Sequence, residues 1–141
     1  MKLMPILISV VALAAVLPMG CTRHEATGGD VNATASSPVP ALDESNFDAE
    51  VQKGVVLVDF WATWCGPCRT QGPIVEQVAS RVEGKAKVAK LDVDKAPNIA
   101  KRFAVSAIPT LIVFKDGKPT KQFVGLTKAD VLISGINAAL D

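Results

Sequence analysis

Two cysteines stand two residues apart in Trp64-Cys65-Gly66-Pro67-Cys68, and of this 141-residue chain they are the side chains best suited to chemistry. The third cysteine, Cys21, lies far upstream, close to the only histidine, His24. A zinc or iron–sulfur site needs about four soft ligands, and past His24 the chain has neither a histidine nor a second cysteine pair. A cysteine hydrolase needs an imidazole beside its thiol, which the same inventory argues against. A purely structural disulfide gains stability with the length of the loop it closes, and two intervening residues close almost none. Reversible dithiol–disulfide exchange remains, with no metal and no cofactor expected.

The spacing suggests how the pair divides the work. Cys65 is expected at the N-terminal end of a helix, where unpaired N–H groups and the macrodipole favour a thiolate. Cys68 falls one turn further in, close enough for its sulfur to reach Cys65 but more enclosed. Gly66 leaves room for a substrate backbone, and Pro67 suits a first helical turn that needs no N–H there. Cys65 then attacks, and Cys68 resolves the mixed disulfide.

The elements that position this pair can be read from periodicity. Val55 to Phe60 is an apolar run rich in β-branched residues, as in a strand buried on both faces. Ile74, Val75, Val78, Ala79 and Val82 recur at helical spacing until Gly84. Lys87–Val93 reads as another buried strand and Pro97–Phe103 as a short helix. Pro109–Phe114 and Pro119–Val124 read as two strands joined by a turn containing Asp116-Gly117, a strong hairpin signal. Asp43 to Asn46 offers caps for a short helix carrying Phe47 and Val51. Thr127, with Asp130 three residues on, suggests a capping box opening a last helix. The order βαβαββα demands an α/β domain with a central mixed sheet of four to five strands flanked by helices.

Asp59 interrupts the first apolar strand, and an ionised carboxylate is costly there. Apolar surroundings raise its pKa and make it a competent proton acceptor for the second thiol.

The ordered set Val58-Asp59-Phe60-Trp61-Ala62, Trp64 to Cys68, Ala107-Ile108-Pro109-Thr110, Phe114-Lys115-Asp116-Gly117 and Val124-Gly125 resembles the thioredoxin family over nearly all of residues 42–141. The resemblance implies the thioredoxin fold, a cis Ile108–Pro109 peptide facing the disulfide, and Asp59 beneath Cys68 with Lys90 as its paired lysine. It also implies an apolar groove around Trp64, Ile108, Pro109, Val124 and Gly125. Trp61 to Trp64 and Arg69 are similar to exported, membrane-anchored relatives of the TlpA and ResA type. Those carry an acidic residue where Gln71 stands, and a central insertion absent here. The strand that opens the family fold has no apolar counterpart in Ser37 to Ala41, so a short or missing edge strand is expected.

Fifteen basic residues against 14 acidic ones, a net charge of +1, leave no footprint for nucleic acid. The hydrophobic content of 49% is concentrated in part at residues 3–19. Residues 1–20 read as a lipoprotein-type signal peptide with Lys2 as its charged start. Gly20-Cys21 closes the apolar run as a lipobox does, with Leu17 one place early, and makes Cys21 the lipidation site. The alternatives are an uncleaved anchor or an ordinary secretory peptide. Residues 21–41, with Gly28-Gly29, Ser36-Ser37, Pro38 and Pro40, have linker composition.

The resulting expectation is a monomeric protein-disulfide reductase on the extracytoplasmic side of the cell envelope, held by a lipid anchor. Its partners are disulfide-containing proteins and either a membrane thiol donor or a thioredoxin reductase-like electron source. The alternatives are a dithiol oxidase of the same fold, a non-catalytic binding module, and a cytoplasmic thioredoxin.

Overall fold

The computed structural model describes residues 39–141. The expected signal peptide, Cys21, His24 and all but the end of the linker lie outside the described residues. Nine elements follow in order: β1 (Ala41–Leu42), α1 (Phe47–Val51), β2 (Val55–Trp61), α2 (Gly66–Val82), β3 (Lys87–Asp92), α3 (Pro97–Arg102), β4 (Thr110–Lys115), β5 (Lys118–Val124) and α4 (Ala129–Leu140). They build one five-stranded mixed sheet in the order β1-β3-β2-β4-β5. Parallel pairing joins β1 to β3 and β3 to β2; antiparallel pairing joins β2 to β4 and β4 to β5.

The edge strand exists but is two residues long, pairing Ala41 and Leu42 with Lys90 and Leu91. Packing begins ahead of the expected Leu42 boundary, because Val39 is already buried in the core and the Pro40 carbonyl accepts the Lys90 N–H at 2.9 Å. Strand β4 starts at Thr110, since Pro109 has no N–H to give a ladder. Pro119 is tolerated inside β5 because that strand lies at the sheet edge. The β4–β5 turn places Asp116 and Gly117 at φ 47° and 82°, the left-handed pair that a two-residue hairpin loop requires.

Strand alternation divides the core into two faces. Val56, Val58 and Phe60 point into one cluster with Phe47, Leu91, Ile99 and Phe114, under α1 and α3. Val55 and Leu57 point the other way, into a cluster with Val75, Val78, Val82, Leu132 and Ile136 from α2 and α4. By the same alternation Asp59 falls on the α2 side, as does its register partner Lys90 on β3.

The capping box expected at Thr127 does not form. Lys128 is the N-cap of α4 and makes no side-chain cap bond. The Thr127 hydroxyl instead donates to the Gly125 carbonyl at 3.0 Å, and its N–H is engaged by Gln71. Asn46 likewise caps α1 without a side-chain bond to the helix, its Oδ1 accepting the Asp43 N–H instead.

Candidate active site

Helix α2 begins directly after the buried strand β2, and Cys65 is its N-cap in an extended conformation. Cys65 and Cys68 are joined in a disulfide with their Cα atoms 5.3 Å apart. The Cys65 Sγ accepts the Cys68 N–H at 3.1 Å. When the pair is reduced, that N–H and the open first turn of α2 face the Cys65 sulfur and favour its thiolate. Pro67 occupies the first turn, as expected.

As whole residues the two cysteines are equally enclosed, each 4% exposed. Their neighbours distinguish them. The Cys65 Sγ approaches the Ile108 carbonyl oxygen at 3.8 Å; in the disulfide it carries no proton, so this is a contact rather than a hydrogen bond. Cys68 lines a cleft of about 140 Å³ beneath the helix, together with Asp59, Trp61, Arg69, Gly72 and Lys90. Cys65 therefore faces the rim, and Cys68 the floor.

The floor holds the most perturbed titratable group among the described residues. Asp59 is 1% exposed, and its Oδ1 is buried with no hydrogen-bond partner. Burial pushes its pKa up to about 7, and the positive charge of Lys90 opposes that rise without cancelling it. Lys90 is the register neighbour of Asp59, but its ammonium forms its ion pair with Glu76 on α2 at 3.5 Å. Lys90 thus acts on Asp59 through its field rather than by a direct bridge, because Glu76 draws the ammonium toward the helix.

The rim is built from three segments. Ile108–Pro109 is a cis peptide. The Pro109 carbonyl accepts the Gly125 N–H at 2.7 Å, which joins the proline loop to Val124-Gly125. The Thr110 hydroxyl donates to the Ala107 carbonyl at 2.7 Å and closes the loop from the other side. Gly125 takes φ 85°, a backbone conformation that side chains disfavour. Among the described residues, Trp64, Val124 and Leu126 are the most exposed large apolar side chains, at 66%, 64% and 56%, and each adjoins a rim segment in sequence, Trp64 beside Cys65 and the other two on either side of Gly125.

Three features escaped the sequence reading. Asp94 accepts the Trp64 indole N–H at 2.8 Å and sets the ring's orientation; its only sequence signal is a place just past the end of β3. Leu126 follows Gly125 in the rim, and nothing in its neighbours sets it apart from core leucines. Gln71, buried on α2, bonds Thr127 through both ends of its amide. Its place in the core register was readable, since Cys68, Gln71, Val75, Val78 and Val82 are the buried positions of α2.

A vicinal dithiol capping a helix, opposite a cis-proline loop and above a buried carboxyl in a five-stranded mixed sheet, defines a thiol–disulfide oxidoreductase. The family profile described as Thioredoxin matches residues 38–138. A thioredoxin from Staphylococcus saprophyticus is 52% identical over 99 residues, spanning 70% of this chain and 95% of that protein. One from Staphylococcus haemolyticus is 57% identical over 84 residues, or 60% of this chain and 81% of the other. Among solved structures, a single-site mutant of a thioredoxin from Halobacterium salinarum NRC-1 superposes with a TM-score of 0.67 at 37% identity, covering 77% of this chain and 96% of that one. The chain belongs to the thioredoxin family. It is a protein-disulfide reductase with Cys65 and Cys68 as its redox pair, and family membership implies disulfide-bearing substrates and a reductase as electron source.

Proposed function

We propose that Cys65 is the attacking sulfur and Cys68 the resolving one, with Asp59 as the proton acceptor between them. The Cys65 thiolate attacks one sulfur of a substrate disulfide, forming a Cys65–substrate disulfide and releasing a substrate thiolate that takes up a proton. Cys68 then loses its proton to Asp59 and attacks the Cys65 sulfur. The Cys65–Cys68 disulfide forms, the second substrate thiolate leaves, and two electrons have passed to the substrate. The observation that carries this assignment is the helix N-cap at Cys65, whose sulfur accepts the Cys68 N–H while facing the rim. Lys90 tunes the acceptor. Trp64, Gly66, Pro67, Ile108, Pro109, Val124 and Gly125 seat the substrate chain.

The same reading places the enzyme as a monomer at the extracytoplasmic face of a membrane, tethered by an acylated Cys21 and drawing electrons from a membrane thiol donor. It rests on the apolar run ending in Gly20-Cys21 and on the Gly-, Ser- and Pro-containing stretch that follows.

Reduction of insulin disulfides by the full-length protein with dithiothreitol tests the activity: turbidity develops faster than with dithiothreitol alone, and no acceleration would reduce the protein to a binding module. Fractionating cells that carry wild type or Cys21→Ser tests the anchor. The wild type is processed and sediments with membranes, whereas Cys21→Ser is not acylated. Equal membrane retention of both, without processing, would make the segment a plain anchor.

A further inference from the structure

We propose that Gln71 is a positioning residue that holds the Val124–Thr127 wall of the substrate groove in register with the redox helix. Gln71 lies on α2, three residues past Cys68, and its side chain is fully buried. A buried amide needs partners for its oxygen and its nitrogen, and this one finds a partner for each on a single residue. Its Nε2 donates to the Thr127 carbonyl at 3.1 Å, and its Oε1 accepts the Thr127 N–H at 2.8 Å.

Thr127 is not an arbitrary anchor. Its hydroxyl donates to the Gly125 carbonyl at 3.0 Å, the Gly125 N–H donates to the Pro109 carbonyl at 2.7 Å, and the adjoining Ile108 carbonyl oxygen lies 3.8 Å from the Cys65 sulfur. Gln71, Thr127, Gly125, Pro109 and Cys65 thus form a ring of polar contacts that begins and ends at the disulfide helix. Besides these bonds, the segment after β5 is tied to α2 by the Arg81–Asp130 ion pair at 2.7 Å, which lies three residues past Thr127, is solvent-exposed and does not reach the groove wall. Val124 and Leu126 are mostly exposed, and the helix that follows opens without a side-chain cap. Deleting the Gln71 bonds releases the loop from the helix while leaving the sulfurs where they are. Gln71 is a positioning residue: it is fully buried, and it acts on the groove only through the backbone of Thr127.

The inference rests on the reading of this groove as the substrate seat, and the experiment separates the two. Pre-reduced full-length protein is oxidised by a range of insulin concentrations in single turnover, which gives a half-saturating concentration and a limiting rate. Gln71→Met keeps the volume and apolar packing while removing both bonds to the Thr127 backbone. The half-saturating concentration is expected to rise roughly threefold to tenfold, the range for losing about one neutral hydrogen bond's worth of stabilisation at the groove, with the limiting rate changed much less. Hydrogen exchange at the Thr127 amide is expected to accelerate in the same variant. Thr127→Val, which keeps the Gln71 bonds but breaks the link to Gly125, moves the half-saturation in the same direction by a smaller factor. It also provides the test should Gln71→Met fold poorly.

Val124→Glu reports on the groove itself. If it raises the half-saturation while Gln71→Met and Thr127→Val do not, the groove stands and the positioning role is overturned. If none of the three moves it, both readings fall. An equal loss in limiting rate and half-saturation with Gln71→Met would mark a general structural role and also overturn the proposal.

Discussion

Asp59 and Gln71 are polar side chains buried to the same degree in the layer between the sheet and α2, yet the fold treats them in opposite ways. Gln71 has both its amide oxygen and its amide nitrogen bonded to the backbone of one residue. Asp59 keeps a buried oxygen without a partner, and the nearest cation is drawn off by Glu76. A satisfied buried amide fixes geometry and contributes stability. An unsatisfied buried carboxyl costs stability, and in return its proton affinity moves to the range where a thiol can use it. On the proposed assignment of roles, the rim of the site holds still and the floor moves a proton. The disulfide spans the two, with Cys65 at the rim and Cys68 at the floor.

The sharpest break of this division comes from the cysteines themselves. Cys65→Ser is expected to abolish turnover, whereas Cys68→Ser still attacks and then stalls, accumulating mixed disulfides with substrate proteins. Non-reducing electrophoresis of full-length variants recovered from cells distinguishes them. Trapped partners on Cys65→Ser rather than on Cys68→Ser would invert the assignment of rim and floor.

Next in size is Asp59→Asn. It keeps the shape and removes the proton acceptor, so resolution is expected to slow by roughly tenfold to a hundredfold near neutral pH. Stability moves the other way. Burial lets the folded state hold the Asp59 proton up to about pH 7, against an ordinary value of 3.8. Wild type therefore loses stability as pH rises from about 4 through about 7, by up to about 4 kcal/mol if the whole shift is expressed. Asp59→Asn lacks that slope. Denaturant titrations at pH 5 and pH 8 are expected to show the advantage of the variant over wild type growing with pH, smaller at pH 5 and larger at pH 8. A loss of stability at pH 8 with unchanged turnover would make Asp59 a structural strand residue.

How far such contrasts could be read in advance depended on whether the signal was local. Asp59 stood out because one carboxylate interrupts a run of Val and Leu, and strand alternation alone puts it and Lys90 on the same face. The CxxC spacing fixed the helix N-terminus for the same reason. Gln71 announced a buried position by its interval from Cys68 and Val75, but its partner lies 56 residues away. No local pattern names Thr127 as that partner, and the local pattern that did exist there, a capping box, gave way to this tertiary contact. The Glu76–Lys90 pair was hidden likewise, being a contact between helix and sheet. The length of β1 was legible only as a shortage of apolar residues.

A gentler change to the floor is Lys90→Met. Removing the ammonium removes the one attraction that lowers the Asp59 pKa, so the carboxyl is expected to stay protonated to higher pH. The rate of resolution depends on the ionised acceptor, and its pH midpoint should move alkaline by an amount the profile reads directly. Because Lys90→Met also removes the Lys90–Glu76 ion pair, Glu76→Gln serves as the control: it leaves the Lys90 charge in place and is expected to leave the midpoint nearer wild type. An acid shift for Lys90→Met would mean that another group sets the profile.

The smallest effect is expected at the rim, where Asp94 accepts the Trp64 indole N–H. Trp64 is largely exposed, so water can replace Asp94 as acceptor, and a solvated hydrogen bond of this kind contributes about 1 kcal/mol or less. Asp94→Ala frees the ring to sample other rotamers without touching either sulfur or Asp59. The half-saturating insulin concentration is expected to rise only about twofold, the factor that a fraction of that energy gives, while the pH midpoint set by Asp59 stays where it is. The two readouts together test the division of the site. A rim change that moved the pH midpoint as much as Lys90→Met does would show that floor and rim are electrostatically one unit.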